Sequence, residues 1–216
     1  NMFDEFAKAG FTVLQSKDEM KSATNQKPVL GVFDKEGLPY ELDRVNDPMI
    51  AAKVPSLAEM ASKAIDLMKD HKNGFCLQIE GGKVDWAAHA NDAAALIYDQ
   101  VAFDDAIKVA IDFAEKDGNT LVVITSDHGN ANPGLYYGEK ADKNFESLFS
   151  FKHTNDWILM GFERDASAAS LADRVLANQS YQLTENQLAF IIEKYNEHNA
   201  EGVYNSYKLP FKEYAM

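Results

Sequence analysis

Apolar and polar positions alternate between two periods along this chain, and the switch between them outlines its elements. Met2 to Ala9 places Phe3, Phe6 and Ala9 on one side with acids in the first turn, and Gly10 follows as a stop, which predicts a short helix. Phe11 to Leu14 and Pro28 to Phe33 read as strands, whereas the proline-punctuated stretch from Asp34 to Pro55 shows no period and reads as a long surface connection. Ser56 and Glu59 have the spacing of a capping box, and Leu57, Met60, Ala61, Ala64, Ile65 and Met68 continue it at helical spacing to about His71.

Asn73-Gly74 then turns the chain into an apolar run, Phe75 to Ile79, that reads as a buried strand. A long helix fits Trp86 to Ala114, Asp117-Gly118-Asn119 reads as a turn, and Thr120 to Thr125 reads as a strand. Gly129 to Ser150 reads as a polar loop and Trp157 to Phe162 as a further strand. A helix follows from Ala168 to Leu176, another is opened by Thr184 and Gln187, and the last dozen residues read as a tail packed on a surface. Strands separated by helices predict one α/β domain over residues 1–216 with a largely parallel sheet.

Composition narrows the function classes. The chain has 216 residues, 46% hydrophobic and 25% charged, as expected for a globular domain with a sizeable core. Its net charge of −13 has the wrong sign for a nucleic-acid or anionic-membrane surface, and its apolar runs fall far short of the roughly 18 residues a membrane span needs. The N-terminal residues lack the basic head and apolar stretch of a secretion signal. The single cysteine, Cys76, excludes an intrachain disulfide and a cysteine-based metal knuckle, and its apolar neighbours predict a small core residue.

The chemistry gathers where strands are expected to end, which is where open α/β sheets collect functional groups. Glu80 follows one such end, and Asp127 and His128 follow another. Asp85 and His89 stand at i and i+4 on a predicted helix start, a spacing that puts their Cβ atoms about 5–6 Å apart on one face, and an oxygen donor with an imidazole suits zinc. His153 is a third histidine of interest, and it reaches the same edge only if the strand after it runs antiparallel to the others. Trp86, beside Asp85, either shapes a pocket or packs into the helix start. His71 and His198 lie in polar helix ends and read as ordinary surface residues. Thr125 and Ser126 are not assigned as nucleophiles, because a strand-end hydroxyl more commonly points away from a site.

These residues together resemble a known family. Glu80-Gly81-Gly82-Lys83-Val84-Asp85-Trp86-Ala87-Ala88-His89, a long helix, and then Thr120 to Gly129 (TLVVITSDHG) are similar to the alkaline phosphatases, and the likeness runs in order over roughly residues 3 to 161. The resemblance implies a partial three-layer α/β/α fold with one antiparallel strand near His153. It implies a magnesium ligand at Glu80, a first zinc site at Asp85, His89 and His153, and a second at Asp127 and His128. The complete family protein carries two zinc ions and a magnesium ion, acts on phosphate monoesters through a phosphoserine intermediate, is exported to the periplasm or outside the cell, and is commonly a homodimer.

Two departures qualify that reading. The family's nucleophile lies in an Asp-Ser-Ala type motif, and this sequence contains no Asp-Ser dipeptide. Its three arginines, Arg44, Arg164 and Arg174, stand outside the family's phosphate-binding context. The chain is therefore expected to correspond to the C-terminal part of such an enzyme, to hold most metal ligands but no catalytic nucleophile, and to be inactive alone. The alternatives are a phosphoglycerate mutase or phosphodiesterase relative, sharing Asp127-His128-Gly129, and a non-catalytic zinc-binding structural module.

Overall fold

A computed structural model describes residues 1–35, 37–131, 134, 137–162 and 167–198 of the chain. The chain divides into two compact units. One comprises Asn1–Gly82 with Asp99–Asp127, and the other Lys83–Tyr98 with the described residues from His128 onward.

In the first unit the order is α1 (Met2–Lys8), β1 (Thr12–Leu14), α2 (Lys17–Ser22), β2 (Val29–Gly31), α3 (Glu41–Asn46), α4 (Pro48–Lys53) and α5 (Leu57–Met68). Local chemistry sets most of these boundaries. Asn1 and Asp4 form a capping box on α1, and Ser56 and Glu59 form one on α5, where each residue's side chain accepts from the other's amide. Gly10 leaves α1 at φ 95°, a conformation that glycine adopts without steric cost. β1 and β2 pair in parallel, Val13 opposite Leu30, with α2 in the crossover that a parallel pair requires. Leu14, Met20, Phe33 and Val54 form the buried cluster beneath them.

The connection from Asp34 to Pro55 is not featureless, since it folds into α3 and α4. Pro48 ends one helix and starts the next: it occupies the first turn of α4, where a missing N–H costs nothing, and the Asp47 side chain caps Met49 and Ile50.

Two expected strands are not formed. Phe75–Ile79 and Thr120–Thr125 carry no sheet pairing, and among the described residues the sheet holds only β1 and β2. Leu121, Val123 and Ile124 are 86%, 74% and 57% exposed, and Cys76 is exposed rather than a core residue. A strand exists only with a hydrogen-bonded neighbour, and the described residues supply none to either segment.

The expected long helix is two helices, α6 (Gly82–His89) and α7 (Ala93–Asp117). Asn91 takes the left-handed conformation at φ 51°, and Asp92 restarts the helix by accepting the Ala95 amide at 3.0 Å. Asparagine tolerates that conformation and aspartate is a favoured N-cap, so this dipeptide is a stop followed by a start.

The second unit continues with α8 (Ala141–Ser147), a 3-10 turn at Leu148–Ser150, α9 (Asn155–Met160), α10 (Ala168–Gln179) and α11 (Glu185–His198). The expected loop from Gly129 to Ser150 thus contains α8 and the turn. The strand expected at Trp157 to Phe162 is instead occupied by α9, so among the described residues no antiparallel strand follows His153. Thr154 caps α9 by accepting the Trp157 amide at 3.1 Å, and Ile158 and Leu159 enter a buried helical cluster with Phe162, Leu171, Val175, Ile191 and Tyr195. The Thr184–Gln187 box opens α11 as its spacing predicts. The C-terminal tail and Arg164 lie outside the described residues.

Candidate metal centre

Helix α6 presents Asp85 and His89 one turn apart, and its two buried alanines, Ala87 and Ala88, leave those polar side chains on the more open side. Asp85 Oδ2 lies 3.6 Å from His89 Nε2. The other carboxylate oxygen, Oδ1, lies 4.0 Å from His128 Nε2 and accepts a 2.7 Å hydrogen bond from Asn130 Nδ2. The same amide also reaches the Asp85 carbonyl at 3.2 Å, so Asn130 grips both the side chain and the backbone of Asp85. Trp86, 39% exposed, packs its ring under the Lys83 ammonium, 3.8 Å from the ring centroid.

His153 is placed differently from its neighbours in sequence pattern. It immediately precedes the cap of α9 and is 8% exposed, and its ring stacks on Trp157 at a centroid distance of 3.7 Å and an angle of 9°. Gln179 Nε2 donates to its carbonyl at 3.2 Å and to Asn155 Oδ1 at 2.8 Å. Asp92 Oδ2 accepts the Asn155 amide at 2.8 Å, which ties the start of α9 to the start of α7 within this unit.

Of the expected ligands, the structure brings together Asp85, His89 and His128. A carboxylate with imidazoles is a donor set that zinc takes, so the residues around Asp85 fit that metal in kind. Among the described residues, however, no group of three or more His, Cys, Asp or Glu side chains is arranged to hold a metal ion. Glu80 and Asp127 belong to the first unit and are exposed at the ends of the unpaired segments. His71 holds the turn after α5, its Nδ1 3.1 Å from the Gly74 carbonyl oxygen, as expected of an ordinary surface histidine.

Sequence pattern alone did not single out Asn130, Asp92, Gln179 or Trp157 as site residues. The Asn-Asp dipeptide at 91–92 was the one local signal available. Trp157 lies one helical turn from His153, whereas Asn130 on Asp85 and Gln179 on His153 join positions far apart in sequence that only the fold reveals.

The fold and these side chains define a helix-rich α/β chain in which one carboxylate, Asp85, lies near two imidazoles, those of His89 and His128. A family model described as alkaline phosphatase matches residues 1–205, and the chain belongs to the alkaline phosphatase family. It is 38% identical over 160 residues to alkaline phosphatase 4 of Bacillus subtilis, covering 73% of this chain and 33% of that protein. It is 34% identical over 196 residues to alkaline phosphatase 3 of the same organism, covering 89% and 40%. The crystal structure of Thermus thermophilus alkaline phosphatase superposes with a TM-score of 0.84 at 27% identity, over 92% of this chain and 42% of that one. The fold is accordingly a partial α/β fold of the alkaline phosphatase type, and the chain spans only about a third to two-fifths of the length of these relatives.

Proposed function

We propose that this chain is the metal-binding part of a metal-dependent phosphate monoesterase. Its support is the grouping of His89 and His128 around one carboxylate, Asp85, in a chain of the alkaline phosphatase family. Asp85, His89 and His153 would hold one zinc ion, Asp127 and His128 would contribute to a second, and Glu80 would bind magnesium. When bound, such ions stabilise the charge of a transferring phosphoryl group. The chain's own part is to supply and orient donors: Asn130 fixes the Asp85 carboxylate, and the spacing on α6 aims His89 at the same oxygen pair.

No residue of this chain is assigned as the nucleophile, so the isolated chain is read as inactive, with phosphate ester turnover belonging to a longer protein. Residues 1–216 are read as part of one catalytic domain of that protein, exported from the cytoplasm and acting as a homodimer. No helix among the described residues is long and apolar enough to cross a membrane. The net charge of −13 does not oppose phosphate binding, because bound dications dominate the local field.

Elemental analysis of the purified, dialysed chain tests the reading, with Asp85→Ala and His89→Ala as controls and p-nitrophenyl phosphate as substrate. Retained zinc that both variants lose, without turnover, is the expected result. Zinc retained equally by both variants, or turnover matching a full-length relative, would overturn it. Zinc loss accompanied by unfolding, with turnover in the longer protein unaffected, would favour a purely structural metal.

A further inference from the structure

The ring of Trp157 is covered by two groups. The His153 imidazole lies parallel to it at 3.7 Å, and the Arg174 guanidinium carbon lies 3.9 Å from its centroid. Two groups at van der Waals distance above one ring centre cannot share a face, so the indole is sandwiched between them. Arg174 is itself fastened: Nε donates to the Ile158 carbonyl at 2.8 Å and Nη2 to the Trp157 carbonyl at 3.0 Å, both in the last turn of α9. Gly161 makes room for this, since a Cβ there would collide with the guanidinium. Burial pushes the Arg174 guanidinium below its ordinary pKa, but it remains a cation at any physiological pH.

The arrangement restrains His153 at both ends. Its carbonyl is held by Gln179, the next residue caps α9, and its ring plane is set by a braced indole. An imidazole that must meet an ion at a fixed angle needs this kind of outer support. Resting on the reading of His153 as a metal ligand, we propose that Trp157, braced by Arg174, is a positioning residue that fixes the plane of the His153 imidazole for metal binding.

The test uses the 216-residue chain and two readouts. In the metal-free chain, stacking on the indole displaces the His153 ring-proton NMR signals upfield. Trp157→Phe keeps a displacement of the same sign, and Trp157→Leu abolishes it. Zinc affinity, read by competition with a chromophoric chelator, falls about tenfold or more in Trp157→Leu and stays within about threefold in Trp157→Phe, the range expected for an outer-shell partner. Because Trp157 also packs against the buried cluster of this unit, Arg174→Met serves as a second variant that removes the brace and leaves the indole. It is expected to broaden the His153 signals and weaken zinc binding by at least about threefold.

Unaltered His153 signals in Trp157→Leu, or unaltered zinc affinity in both Trp157→Leu and Arg174→Met while His153→Ala loses affinity, would overturn the positioning role and leave the ligand reading intact. Unaltered affinity in His153→Ala would instead overturn the ligand reading, and the proposal with it.

Discussion

The Asp92 carboxylate accepts the Asn155 backbone amide at 2.8 Å across 63 positions of sequence, and its other oxygen caps α7 at Ala95. The side chain is 4% exposed, so neither donor has water as a substitute partner. Asp92→Ala leaves both amides buried and unpaired, with an expected loss of about 2–4 kcal/mol in the stability of the unit. Asp92→Asn, which retains one accepting oxygen, is expected to lose less. Urea denaturation of the three proteins, with slope and midpoint fitted separately, checks the order.

Asn130 has no charge of its own, yet it determines which Asp85 oxygen stays available. Asn130→Ala releases Oδ1 and is expected to weaken zinc binding by about 10- to 100-fold, with little change in the urea midpoint because its contact lies near the surface. An unaltered zinc affinity would show that Asp85 needs no such support.

Helix α5 carries a pH dependence through Glu59. Burial raises the pKa of this carboxyl, but the Lys17 ammonium at 2.8 Å and the Ser56 amide outweigh it and hold the group below its ordinary value of 4.5. A depressed folded-state pKa adds stability that is present above pH 4.5 and is lost as the pH falls through the folded value. Glu59→Gln should therefore cost up to about 1 kcal/mol at neutral pH, limited because the side chain is partly exposed, and progressively less as the pH falls below 4.5 through the lowered folded-state value. Thermal melts of both proteins across that range give the comparison, and a pH-independent difference would exclude the mechanism.

Gly81 passes directly over a side chain: a Cβ there would sit 2.8 Å from Phe103 Cγ, the stiff base of the ring rather than its flexible end. Gly81→Ala is expected to destabilise the first unit by about 1–3 kcal/mol. Gly129→Ala, which meets nothing within 4 Å, should stay within about 0.5 kcal/mol of the parent. Equal melting temperatures for the two variants would contradict the contact.

What could be read from the sequence was what depends on near neighbours. The boxes at Ser56–Glu59 and Thr184–Gln187 are complete within four residues, and both helices start where the spacing places them. The same holds for Asp85 and His89, whose proximity follows from one helical turn. Trp157 to Phe162 misled because a short apolar run has no period to separate strand from helix, and the Thr154 cap with the burial of Ile158 and Leu159 settled it as a helix. Asn130 on Asp85 and Arg174 on Trp157 were invisible in the sequence because each joins positions that only folding brings together.

The exposed run from Leu121 to Ile124 bears on how the chain behaves in solution. Among the described residues its amides and carbonyls make no backbone hydrogen bonds, so they should exchange hydrogen with solvent far faster than those paired in β1 and β2. An apolar, unpaired ribbon is also a template on which other chains can add. The surplus of acids, a net −13 at neutral pH, sets an electrostatic repulsion against such addition. Acidification toward the isoelectric point near 4.7, or salt that shortens the screening length, removes that repulsion, and colloidal stability should fail there well before the helices melt.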